Sequence, residues 1–256
     1  IIYIILTVLF KPLRGRFKHS NLLLAAAIVI ILWVYAFITG LSPSVLRAVT
    51  MFSLLAMGDQ LNRRSSVFNS LALSAFILLW INPYLITQIG FQLSYLAVIG
   101  ILLLYPKINS LVKPSNKFLK AIWQLLAISI AAQIATAPLV AFYFHQLPAY
   151  FLLSNLLVIP MVTILIWGGI TLLIVGSISA FMGNILGELL SIMVIFMNRG
   201  LGIISSLPMS IVKGITIDSV ELVLIYILIG LFIASVYFGL QKRYKVLISL
   251  VLILLA

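Results

Sequence analysis

The sequence predicts an all-α fold, a polytopic bundle of about nine to ten transmembrane segments. Three observations carry that expectation. Hydrophobic residues fill 64% of the 256 positions and charged residues only 8%, with a mean hydropathy of +1.30, which lies outside the soluble globular range. Apolar runs recur from end to end on the scale of a membrane span, about 20 residues. Those runs are continuous, without the residue-by-residue alternation of a membrane barrel strand.

The segments follow in order. Residues 1–10 form an apolar run that opens at Ile1, and 22–39 follows a basic cluster of Lys11, Arg14, Arg16 and Lys18. Ser42-Pro43-Ser44 offers an N-cap and a first-turn proline to the run 44–58. That run reaches only about 22 Å as a helix, and extension to Leu61 would bring it to about 27 Å. Arg63 and Arg64 separate it from 66–82, which closes on the turn pair Asn82-Pro83. The run 84–104 is divided from 121–144 by Lys107, Lys113, Lys117 and Lys120. After 149–175 and 185–206, Asp218 lies just before 221–240 and Glu221 opens it, where carboxylates suit the positive end of the helix dipole. The last run, 246–256, follows Lys242, Arg243 and Lys245 and ends at Ala256. Both ends read as cut, so residues 1–256 are expected to be one transmembrane domain of a longer protein. Cysteine is absent, which excludes a disulfide framework and a thiolate metal site.

Charge orders these segments. Thirteen of the sixteen basic residues fall in the four clusters, and an even number of spans separates each cluster from the next. All four then share one side, the cytoplasmic one by the positive-inside rule. The loops near 40–43, 82–84, 145–148 and 207–220 are external, with Lys213 as their exposed base.

Polar residues inside apolar runs are the candidate functional positions, because they are expensive in hydrocarbon and point to a bundle interior or a water-filled path. Gln88, Gln92 and Tyr95 stand at i, i+4 and i+7, which a helix gathers on one face. Ser129, Gln133 and Thr136 repeat that spacing, and Ser154-Asn155 precedes Pro160. Pro138 and Pro160 lie within apolar runs, where they are expected to kink or break helices beside a cavity. Arg47 and Arg199 are the intramembrane cations; each would cost about 2.5–3.5 kcal/mol at the centre of a span without a partner or water. Glu188 shares the face of Arg199 but lies about 16 Å from it along the axis. Interhelical hydrogen bonding would explain any one of these residues alone.

Enzyme readings find little. The acids are Asp59, Glu188, Asp218 and Glu221, and the histidines are His19 and His145. They show neither metal-ligand spacing nor paired carboxylates on one helix face. The chain is expected to be no enzyme and to hold no cofactor or metal.

Ser44-Val45-Leu46-Arg47-Ala48 followed by Met51, then Asn82-Pro83, then Gly90-Phe91-Gln92-Leu93-Ser94-Tyr95-Leu96-Ala97-Val98 resemble the membrane core of the ComEC-type competence proteins. Gln133-Ile134-Ala135-Thr136-Ala137-Pro138, Asn155 and Pro160 continue that pattern in the same order, over roughly residues 40 to 205. Tyr95 departs from it conservatively, standing where phenylalanine is expected. The resemblance implies an inner-membrane channel through which one DNA strand enters the cell during natural transformation. It also implies that any nuclease activity belongs to a metallo-β-lactamase-like domain outside these residues. Arg47, Gln88, Gln92, Tyr95, Gln133, Asn155 and Arg199 would line the strand's path. Expected partners are single-stranded DNA, membrane lipid, receptor and translocation motor proteins of the uptake machinery, and a second copy of the chain. The alternatives are a secondary transporter for a small solute, whose inverted repeat is not visible, and a membrane-anchoring subunit for a catalytic domain elsewhere.

Overall fold

The turn between the first two described helices shows how local chemistry sets the boundaries. In the computed structural model, which describes residues 20–60 and 66–238, helix α1 (Ser20–Ile38) ends with Gly40 at φ +78°. The amides of Gly40 and Leu41 return to the carbonyls of Phe37 and Ala36 at 3.2 and 3.0 Å, the paired bonds of a Schellman cap. Helix α2 (Pro43–Gln60) then begins with proline at its first position, where the missing N–H removes no bond. It extends close to Leu61, which resolves the short reading of 44–58. Helix α3 (Val67–Ile81) ends at Asn82, whose side chain accepts the Tyr84 amide at 3.1 Å and starts a 3₁₀ turn over Pro83–Thr87.

Helix α4 (Ile89–Leu111) follows. Helix α5 (Lys117–Phe144) starts on an Asn116 cap that accepts the Phe118 amide at 2.9 Å. Helices α6 (Phe151–Ile178) and α7 (Ala180–Ser206) form a hairpin, and α8 (Ser219–Phe238) closes the described chain. The eight helices coincide with eight of the ten expected segments. The runs 1–10 and 246–256, His19 and three of the four basic clusters lie outside the described residues. Helices α4 to α7 are each long and apolar enough to cross a membrane, and the protein is a multi-pass helical membrane protein.

Three local features differ from the sequence reading. Gln88 is not helical: it has extended backbone, and its carbonyl receives the first amides of α4, those of Phe91 and Gln92, at 3.0 and 3.1 Å. Pro138 and Pro160 do not break their helices; α5 and α6 run through them, and α4 likewise runs through Pro106. Finally, the loops at 145–148 and 207–220 are not merely irregular. Gln146–Pro148 (β1) and Ile211–Lys213 (β2) pair antiparallel, Leu147 opposite Val212. The ribbon joins two loops that the charge pattern assigned to one side. His145 turns the chain into it in the left-handed conformation, φ +54°.

The chain divides into two compact units between Tyr95 and Leu96. In the first, α1 and α2 pack through an i, i+4, i+8 stripe of Ile28, Leu32 and Ala36 against the i, i+7 pair Val49 and Ala56, each on one helix face. In the second, small residues let backbones approach, as is usual where lipid removes the hydrophobic drive for helix association. A Cβ on Gly100 would stand 2.5 Å from the Ala135 Cβ and 2.7 Å from the Ala131 carbonyl oxygen. At the α6–α7 turn, a Cβ on Gly183 would lie 2.9 Å from the Gly176 Cα.

Candidate functional site

In the first unit the start of α4 meets α2 and α3 through polar groups. Ser44 donates to the Gly90 carbonyl at 3.4 Å, and one turn further along α2 the Arg47 Nε donates to the Ser94 hydroxyl. The Arg47 guanidinium carbon lies 6.0 Å from the centre of the Tyr95 ring, within cation–π range. Phe91 packs against the same ring at a tilt of 42°, with centroids 4.5 Å apart. The i, i+4 spacing of Phe91 and Tyr95 on one helix builds this column, and both are buried.

The hydroxyl of Tyr95 has a defined direction. Ser74 on α3 lies 2.9 Å from it and also 2.7 Å from the Leu71 carbonyl. A serine has one proton to donate, and the carbonyl can only accept, so Tyr95 donates to Ser74 and Ser74 to Leu71. Ser74 is completely buried, which makes this relay a fixed strut under the ring.

Arg47 is half-buried and keeps capacity in reserve. A guanidinium has five donors; Nε serves Ser94 and Nη1 reaches only the weak acceptor Met51 Sδ at 4.0 Å. Three donors remain without a protein partner among the described residues. Gln92 lies one turn from the same place, donating to the Ile86 carbonyl at 2.7 Å and leaving its own buried oxygen unpaired. Thr50 and Ser53 on α2 are likewise buried with unpaired hydroxyls. An oriented, half-buried guanidinium with a free fork suits bidentate contact to phosphate oxygens.

The structure thus brings Arg47 and Tyr95 together and sets Gln92 beside them, whereas Gln88 is exposed just before the helix. Tyr95 supports the cation more than it lines a surface. Ser74 and Ser94 complete the arrangement and were not singled out. Their signal was a hydroxyl inside an apolar run, shared by many serines, and only the packing distinguishes them. In the second unit, Gln133 and Asn155 are half-buried without side-chain partners among the described residues. Arg199 is exposed, also without an ion pair there. Pro138 leaves the Ile134 carbonyl without its amide, and beside that gap Tyr226 of α8 donates to the Ala135 carbonyl at 3.0 Å.

Residues 1–238 match the family described as Competence protein. The ComE operon protein 3 of Bacillus subtilis (strain 168) is 32% identical over 185 residues, which cover 72% of this chain. The chain spans only 22% of that relative's length. No solved structure matches.

Proposed function

The chain belongs to the competence protein family, and on that premise we propose that it forms the channel through which a single DNA strand crosses the plasma membrane during natural transformation. The observation that carries this reading is the Arg47 arrangement, a half-buried cation near the start of an apolar helix, oriented by Ser94 and Tyr95 with donors left over. Every nucleotide of a single strand brings one phosphate, and a cation at the start of a span offers it a first contact. The remaining path residues, Gln88, Gln92, Gln133, Asn155 and Arg199, supply neutral or positive polar walls. A path with little negative charge agrees with sixteen basic residues against four acids, though topology accounts for most of the basic ones. The partners proposed with it are the DNA strand, the surrounding lipid, the uptake receptor and the translocation motor, and a second copy of the chain.

The test uses the full-length protein in its own membrane. Arg47→Ala is expected to lower DNA uptake by about 100-fold at normal membrane levels, equivalent to about 2.8 kcal/mol. Arg47→Lys should retain a fraction of uptake, because lysine keeps the charge but not the planar fork. Wild-type uptake by the alanine variant would reduce Arg47 to an interfacial anchor that reaches the headgroups with its long side chain.

A further inference from the structure

Helix α7 carries a polar line that no packing in the described structure uses. Asn184, Glu188, Ser191, Asn198, Gly202 and Ser205 follow one another at the alternating three- and four-residue steps of a single helix face, with Ile195 as the apolar residue among them. Arg199 stands beside Asn198 at the edge of that face. All of these residues are exposed. Asn184, Glu188, Ser191, Asn198 and Arg199 make no side-chain hydrogen bond or ion pair among the described residues. Hydrocarbon is an untenable environment for such a face, since each unpaired polar group would cost several kcal/mol there.

Two open concavities, largely apolar but each with polar residues in its lining, flank the line. One of about 820 Å³ lies at the α6–α7 turn, lined by Ser177, Asn184 and Gly187 among others. The second, about 330 Å³, lies at the ribbon end, lined by Ser154, Gly202, Ser205 and Ser210 among others. Asn184 and Gly202 are eighteen residues apart, as are Gly187 and Ser205. Eighteen residues make five full turns, so both cavities open on the same side of α7. They are separated by about 27 Å along the axis, close to the roughly 30 Å of the hydrocarbon layer. Ser191 and Asn198 bridge the interval.

We infer that this face of α7 is the rail of the transmembrane path, wetted along its length and occupied by the DNA strand, with a vestibule at each end. The inference rests on the channel reading and gives it a course through the second unit. The channel reading supplies the occupant, and the charges at the two ends polarise the rail. Arg199 lies toward the ribbon end, where Lys213 is exposed on β2, while Glu188 lies toward the other end. A polyanion is attracted at the ribbon end and repelled further along, the combination that lets a passing charge enter without stalling.

The native absence of cysteine in this segment makes the test direct. In the full-length protein with any cysteines elsewhere replaced, Ser191→Cys and Asn198→Cys should react with a charged, membrane-impermeant methanethiosulfonate. Leu189→Cys and Phe196→Cys, on exposed apolar positions of the same helix, should not. Modification at 191 or 198 should lower DNA uptake at least tenfold. Lack of reaction at both positions would overturn the inference, as would reaction that leaves uptake intact. Oxidative cross-linking of Ser191→Cys between two copies would overturn it as well, by making the face a protein interface. Failure of the channel reading itself shows differently, as DNA uptake unchanged when the whole protein is deleted.

Discussion

The junction of α2, α3 and α4 and the exposed face of α7 handle the same problem in opposite ways. Both place polar side chains within apolar helices, where an unpaired group is costly. Around Arg47 neighbours hold the polar groups in place, guanidinium to Ser94, Tyr95 to Ser74 and Ser74 to the Leu71 carbonyl, while the rest of the guanidinium fork stays free among the described residues. Along α7 the amides, Glu188 and Arg199 reach no partner among the described residues. The contrast teaches that polarity in a membrane helix has two meanings. Buried and paired, it fixes one orientation; exposed and unpaired, it requires a partner beyond the described residues.

Substitutions can break or sharpen this contrast. Loss of uptake in Arg47→Ala is the largest expected effect. Next comes Ser74→Ala, which strands the buried Tyr95 hydroxyl and should destabilise the detergent-solubilised protein by about 1–3 kcal/mol. Tyr95→Phe on that background should recover most of the loss. A thermal-unfolding double-mutant cycle measures the coupling, and additive effects would mean that the relay does not exist.

Ser94→Ala should act on function more than on stability. Freed from its acceptor, the guanidinium loses orientation but not charge. Uptake should fall about tenfold, or about 1.4 kcal/mol, with threonine at 94 restoring it and alanine not. Equal uptake in all three would detach Ser94 from Arg47.

The smallest effects separate the two regions most cleanly. Thr50→Val removes a buried hydroxyl that has no partner among the described residues, so stability should stay level or rise by up to about 1 kcal/mol. Asn198→Leu on α7 breaks no side-chain hydrogen bond among the described residues, and its stability change should stay within about 0.5 kcal/mol while uptake declines. A marked loss of stability in Asn198→Leu would mean that the face is packed rather than wet.

Much of this architecture was legible in the chain. Apolar runs and breakers located the eight described helices, because hydrocarbon leaves the backbone no alternative to internal hydrogen bonding, with the largest misses at α4, expected over 84–104 and found at Ile89–Leu111, and at the start of α7, expected at 185 and found at Ala180. Asn82 and the Ser42-Pro43 pair act through neighbours one to four residues away, so their roles could be read from spacing. The same holds for the adjacency of Gln92 and Tyr95 on one helix, and of Asn184 through Ser205 on another.

Other decisions involved partners remote in sequence, and these the tertiary structure made. Gln88 continued a perfect helical spacing, yet the 3₁₀ turn after Asn82 left it in extended backbone. The proline spacing suggested breaks, but α5 and α6 continue through Pro138 and Pro160. Leu147 and Val212 give no sign of pairing, since three-residue strands are too short for a pattern to show. Above all, Tyr95 is buried against Ser74, and Arg199 is exposed, although both are polar groups in apolar runs. Periodicity states which residues share a face; what that face meets depends on helices brought together from distant parts of the chain, and their contacts separate a strut from a surface.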